Sequence, residues 1–158
     1  MKKVILAFGV LMLLGLACKK DNTLPKKAFE DISLTDIQQF ENKFSANPII
    51  VSDDAGNQLL KPGSIIFYKT QIGTLGKMRI VSISDQKLLT IDVVNFNAAG
   101  NVILNKSGST VQPTWLCDLD MGVQTNDFTL REFDWDMYNA FKKGITPKNT
   151  AVFYVYSK

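Results

Sequence analysis

The sequence predicts an α+β fold, with a mainly antiparallel sheet, a short N-terminal helix and one longer amphipathic helix before the last strand. Short β-branched and aromatic runs separated by turn residues fill positions 49–105. Their connections are shorter than the dozen or more residues that a parallel crossover needs. Two other segments carry apolar residues at helical spacing. A chain of 158 residues, 46% of them hydrophobic, is long enough for a single domain with its own core.

The first 17 residues predict a cleaved signal peptide. Lys2 and Lys3 precede an apolar run over residues 4–17. That run is shorter than the about 20 residues that span a bilayer as a helix. We therefore expect export of the chain and no permanent transmembrane helix here.

The end of this segment, Leu14-Gly15-Leu16-Ala17-Cys18, resembles the lipobox of bacterial lipoprotein precursors. In that family a small residue precedes a cysteine that receives diacylglycerol on its sulfur and becomes the new N-terminus. The resemblance implies lipidation at Cys18 and anchoring to the bacterial cell envelope, at the periplasmic or surface face of the outer membrane. Ordinary signal-peptidase cleavage at the same bond is the alternative, and it would leave Cys18 as a thiol able to pair with Cys117.

Residues 18–28 are predicted to form a flexible tether, because they are polar, contain Pro25 and show no periodicity. The folded domain is expected over residues 29–158. Lysines close to an anionic membrane gain about 1 kcal/mol each, although a solvated linker explains them equally well. The tether lysines are Lys19, Lys20, Lys26 and Lys27.

The short N-terminal helix is predicted from a capping box, Thr35-Asp36-Ile37-Gln38. Ile37, Phe40 and Phe44 follow at positions i, i+3 and i+7, which gives one apolar face. The helix should end before Asn47-Pro48, since the residue before a proline disfavours the helical conformation.

The strands are predicted from β-branched and aromatic runs that end at turn residues. Residues 77–83 carry apolar side chains on both faces, so this strand should be central or covered on both sides. Residues 73–77 contain two glycines but open no helix, and they predict a hairpin turn rather than a phosphate-binding loop. The predicted strands are 49–51, 64–69, 77–83, 88–96, 102–104, 115–119 and 150–156.

The longer helix is predicted over residues 129–144. Thr129-Leu130-Arg131-Glu132 forms a second capping box, and Gly144 supplies the C-terminal stop. Lys142 and Lys143 would face the negative end of the helix dipole. Apolar residues recur at helical spacing: Leu130, Phe133, Met137, Ala140 and Phe141.

On that helix Trp135 falls on the outer face, near Arg131, Tyr138 and Lys142. A tryptophan beside a tyrosine and two cations suits contact with a sugar ring, an aromatic group or a partner protein. The alternative is that another element, such as the loop over residues 105–112, covers this face.

Asp118 and Asp120 are candidate metal ligands, because two carboxylates at i, i+2 on a strand end point to one side, as calcium loops require. Gly122 follows them, but no third acidic ligand occurs at the spacing of the known loop pattern. The favoured interpretation is a strand leaving into a turn with two solvated aspartates.

The composition excludes several kinds of chemistry. The chain has no histidine, which excludes Ser-His-Asp and Cys-His nucleophilic sites and histidine-based metal sites. Its net charge of +3 is too small to indicate a nucleic-acid partner. Cys117 has no basic neighbours in sequence to activate it, so we expect a buried or inert thiol. No cofactor is expected.

The function predicted from these features is a lipid-anchored cell-envelope protein that acts as a non-catalytic binding or envelope-assembly component. Its expected partners are membrane lipid, through Cys18, and a protein or a carbohydrate. The alternative is a histidine-independent hydrolase acting on glycan or lipid. Haem capture ranks last, because its iron would need methionine or tyrosine ligands.

Overall fold

The regular secondary structure of the described residues consists almost entirely of antiparallel strands. The computed structural model describes residues 26–157. Helical structure in this range is limited to α1, Leu34–Gln38, and one 3₁₀ turn, Glu41–Lys43. The predicted α+β class, with its longer amphipathic helix, is therefore wrong. Within the same residues, no helix has the length and apolar character needed to cross a membrane.

The described strands form two antiparallel sheets of five strands each. The strands are β1 Ile49–Ser52, β2 Ile65–Lys69, β3 Leu75–Ile83, β4 Leu89–Phe96, β5 Val102–Val111, β6 Leu116–Asp118, β7 Val123–Thr125, β8 Phe133–Met137, β9 Lys143–Pro147 and β10 Val152–Ser157. The first sheet has the order β1-β9-β8-β6-β7, and the second has the order β10-β2-β3-β4-β5. The β3 strand lies at the centre of its sheet, which confirms the prediction made for residues 77–83.

One apolar core lies between the two sheets. Trp135 on β8 is the largest side chain fully buried in it, and its indole Nε1 donates a hydrogen bond to the Lys87 carbonyl oxygen at 2.7 Å. Because a buried tryptophan needs a partner for its N–H, this bond fixes the orientation of the ring. Both sheets contribute to the core, including Val51, Cys117, Phe133 and Ile145 from the first and Ile66, Tyr68, Met78, Ile91 and Phe153 from the second.

The N-terminal segment covers the other face of the second sheet. Ile37 and Phe40 pack there on Phe67, and the rings of Phe40 and Tyr154 stack with centroids 5.2 Å apart. Phe29 is the first buried residue of the described chain. The second sheet is thus covered on both faces, by the first sheet and by the segment around α1.

The first helix is shorter than predicted and begins earlier. Its N-cap is Ser33, which exchanges hydrogen bonds with Asp36, so the capping box starts two residues upstream of Thr35. The helix cannot continue through Ser45, because that residue forms an antiparallel bridge with Phe153. Pairing with the sheet edge overrides the helical spacing of the apolar residues.

The second predicted helix is replaced by the β8–β9 hairpin. Phe133 and Trp135 are completely buried and alternate with Asp134, which gives period-2 burial over β8. Leu130 and Phe141, which the helix would have buried, are instead 47% and 58% exposed. The aromatic residues favour a strand, and burial of two of them against the second sheet decides between the two periodicities.

The two tryptophans should differ sharply in their effect on stability. We expect Trp135→Phe to lower the free energy of unfolding by about 2 kcal/mol, since it leaves a cavity and removes the bond to Lys87. The matched variant Trp115→Phe should cost less than about 0.5 kcal/mol, because Trp115 is 41% exposed. Urea unfolding measures both, and equal costs would contradict the burial of Trp135.

Candidate functional site

Three acidic side chains meet where β6 ends and β8 begins. Asp118 closes β6, Asp120 lies in the turn to β7, and Glu132 directly precedes β8. One carboxylate oxygen of each lies within 4.8 Å of those of the other two. We call these three residues the acid trio.

The antiparallel register of β6 and β8 brings the trio together. Cys117 pairs with Phe133, so the residues after Cys117 lie beside the residue before Phe133. The Glu132 amide donates to the Cys117 carbonyl oxygen at 2.9 Å. Glu132 thereby reaches the turn that carries Asp120, although it is 12 positions away in the sequence.

Glu132 is completely buried. Its Oε2 accepts a hydrogen bond from the Leu119 amide at 2.8 Å. Its Oε1 is buried without a hydrogen-bond partner among the described residues. A buried carboxylate oxygen in this condition carries a large desolvation cost.

Burial raises the pKa of Glu132 to about 8, and the negative charges of Asp120 and Asp118 add to the effect. The hydrogen bond from the Leu119 amide acts in the opposite direction, and the Gln71 amide, which lies near the carboxylate but makes no hydrogen bond to it, adds a smaller effect of the same sign. Burial also raises the pKa of Asp118, and the charge of Asp120 contributes. The trio is therefore a place where the fold holds like charges close together.

A buried hydrogen-bond network supports the turn that carries Asp120. The Tyr68 hydroxyl donates to Asn95 Oδ1 at 2.5 Å, and Asn95 Nδ2 donates to the Leu119 carbonyl oxygen at 2.8 Å. Gly76 lies against the Tyr68 ring so closely that a Cβ atom there would overlap it. The network fixes the backbone between Asp118 and Asp120.

The trio offers oxygen ligands, which suit hard cations such as Ca²⁺. The sequence identified Asp118 and Asp120 as candidates, and the structure brings them together. Glu132 could not be predicted as the third ligand from the loop pattern, because it does not follow Asp118 and Asp120 at the spacing of a single calcium-binding loop. Interpreting Phe133–Met137 as a strand paired with β6 would have found it.

The predicted contact surface around Trp135 does not form. Trp135 is fully buried, so its predicted exposure is wrong. Tyr138 and Lys142 remain together, with the Lys142 Nζ 5.7 Å from the ring centroid. Arg131 lies instead over the ring of Phe128, at 4.8 Å.

A different aromatic groove is open to solvent. Trp115 and Phe128 line it, and they are 41% and 66% exposed. Arg131 and Asp134 also line it, with Arg131 Nη1 3.6 Å from Asp134 Oδ1. The groove has a volume of about 320 Å³. We call it the Trp115–Phe128 groove.

Of the two cysteines, only Cys117 lies within the described residues. Cys18 lies outside the described residues. Cys117 is free and buried, which confirms the predicted buried thiol. Burial raises its pKa well above the usual range, so it is a poor nucleophile. A disulfide between the two would require the core to open.

The predicted hairpin turn is confirmed but lies earlier than residues 73–77: it spans residues 70–74 between β2 and β3, in which Lys69 opposes Leu75, and residues 75–77 belong to β3. The Gly73 amide donates to the Thr70 carbonyl oxygen at 3.0 Å, and Gly73 has a φ of 91°, which glycine adopts most easily.

No protein-family model, no curated protein and no solved structure is similar to this chain. The acid trio and the Trp115–Phe128 groove are therefore interpreted from their own geometry.

Stability without metal should depend on pH through Glu132. Its folded pKa of about 8 lies above the ordinary 4.5, so its contribution to stability is complete below about pH 4.5 and is lost as the pH rises through 8. In buffer with EDTA we expect Glu132→Gln to reduce this loss markedly. Urea unfolding between about pH 5 and 9 measures it. Glu41→Gln removes a surface charge and should leave the slope unchanged, and equal slopes in all three proteins would contradict the burial of Glu132.

Proposed function

We propose that this protein is a lipid-anchored, non-catalytic binding component of the bacterial cell envelope. The lipobox-like Leu14-Gly15-Leu16-Ala17-Cys18 supports the anchor. The Trp115–Phe128 groove is the single observation that carries the binding role.

The groove has the chemistry of a contact site. Exposed tryptophan and phenylalanine offer large rigid surfaces at low cost in conformational entropy, and such residues dominate binding energy at interfaces. Arg131 adds a cation held over the Phe128 ring and paired with Asp134. An aromatic surface with a fixed guanidinium suits a protein segment or the apolar face of a sugar.

The chain becomes attached to the folded domain a short distance after Cys18. The Lys27 amide donates to the Tyr156 hydroxyl at 3.1 Å, and Lys27 Nζ lies 2.7 Å from Asp36 Oδ1. The chain is thus held on the domain nine positions after Cys18. Nine extended residues reach about 30 Å. A lipid on Cys18 would hold the start of the domain within about 30 Å of the membrane surface and limit the protein's partners to the envelope.

The alternative, a histidine-independent hydrolase, is favoured by one observation, the pKa of Glu132 raised to about 8. General acids of glycosidases have raised pKa values of this kind. Glu132 is completely buried, however, and a general acid must reach the substrate. The binding role therefore fits the geometry better.

The anchor predicts that Cys18→Ser releases the protein from the membrane fraction into the soluble fraction, because the lipid attachment sulfur is lost. Cell fractionation followed by immunoblotting measures the change. Cys117→Ser is the matched control and should stay in the membrane fraction. Retention of Cys18→Ser in the membrane would defeat the anchor.

The groove predicts a specific contact at Phe128. Phe128→p-benzoylphenylalanine, irradiated in living cells, should give a discrete crosslinked species. The matched control is Phe141→p-benzoylphenylalanine, since Phe141 is similarly exposed but does not line the groove. No crosslink at Phe128, or the same crosslink at both positions, would contradict the binding role of the groove.

A further inference from the structure

We propose that Asp118, Asp120 and Glu132 bind a calcium ion. This site is separate from the Trp115–Phe128 groove, and its existence does not depend on the proposed binding function. Four features of the described residues support it.

The first feature is the spacing of the three carboxylate oxygens. Each lies within 4.8 Å of the others, so the three can approach one cation with small side-chain adjustments. Mg²⁺ usually keeps several waters and is bound through only one or two protein carboxylates, whereas Ca²⁺ accepts several carboxylates in a flexible geometry. Three protein carboxylates at one point therefore suit Ca²⁺ better than Mg²⁺.

The second feature is the condition of Glu132. Its side chain is completely buried, and its Oε1 has no hydrogen-bond partner in the described part of the chain. The carboxyl lies beside the oxygens of Asp118 and Asp120. A buried oxygen of this kind is satisfied when a cation is bound between the three groups.

The third feature is the missing counter-charge. Two other acidic side chains with little exposure have basic partners. Asp92 Oδ2 lies 2.6 Å from Arg79 Nη2, and Asp134 Oδ2 lies 3.1 Å from Lys148 Nζ. No ion pair among residues 26–157 involves the trio. A divalent cation would supply the charge that the protein side chains do not.

The fourth feature is access. Asp120 is partly exposed in the turn, so water can reach the site and complete the six to eight ligands that Ca²⁺ takes. The network of Tyr68 and Asn95 holds the backbone of this turn in place. A ligand cluster that is rigid before binding loses little entropy when the ion enters.

Calorimetric titration of the full-length protein in detergent, first stripped with EDTA, tests the site. We expect one Ca²⁺ ion per chain, with Mg²⁺ binding at least about tenfold more weakly, and a higher melting temperature in CaCl₂ than in EDTA. Absence of Ca²⁺ binding, or equal binding of both ions, would overturn the proposal.

Matched variants locate the ion. Asp120→Asn should weaken Ca²⁺ binding by about tenfold or more and should not lower the melting temperature in EDTA, because Asp120 lies in a partly exposed turn and its charge repels Glu132. Glu132→Gln keeps the size of the side chain and should abolish binding. Asp136→Asn makes the same change on a partly exposed aspartate outside the trio and should bind as the unchanged protein does. If Asp136→Asn and Asp120→Asn weakened Ca²⁺ binding equally, the loss would reflect the change in surface charge alone, and the proposed site would be wrong.

Discussion

The face-to-face packing of two antiparallel sheets around Trp135 is the constraint on which the rest of the structure depends. Trp135 faces the second sheet from β8 and is tied to the Lys87 carbonyl by its indole nitrogen. Sheets that bury one face against each other fix which side chains point inward on every strand. Because β8 is fixed in this way, the ends of the strands that pair with it in the first sheet are fixed as well.

The acid trio is a consequence of that packing. Phe133 packs in the core, and Glu132 directly precedes it at the start of β8. The pairing of Cys117 with Phe133 then brings Glu132 beside Asp118. Holding three carboxylates together, with Asp118 and Glu132 buried, opposes folding, and the same burial raises the pKa of Glu132. Stable proteins tolerate such strain chiefly where it serves a site, as in the binding of a cation.

Much of the second sheet can be predicted from the sequence, because four of its five strands, β2 to β5, are consecutive and joined by short turns. The strand pattern from residue 49 to residue 104 and the hairpin at Gly73 follow from local rules. The segment from 129 to 144 satisfies both a helical and a strand period, and only burial of Trp135 against a distant sheet selects the strand. Glu132 joins the trio by strand pairing, which no local spacing encodes.

A double-mutant cycle between Asp120 and Glu132 tests most directly whether the fold brings the acids to one point. At about pH 9, above the Glu132 pKa of about 8, the Glu132 carboxylate is repelled by Asp120 in EDTA, so Asp120→Asn and Glu132→Gln should each relieve the same repulsion. We predict that the double variant is less stable than the sum of the single effects by about 0.5–3 kcal/mol, measured by urea unfolding. Additivity within about 0.3 kcal/mol would show that the two carboxylates do not interact, and it would contradict the account.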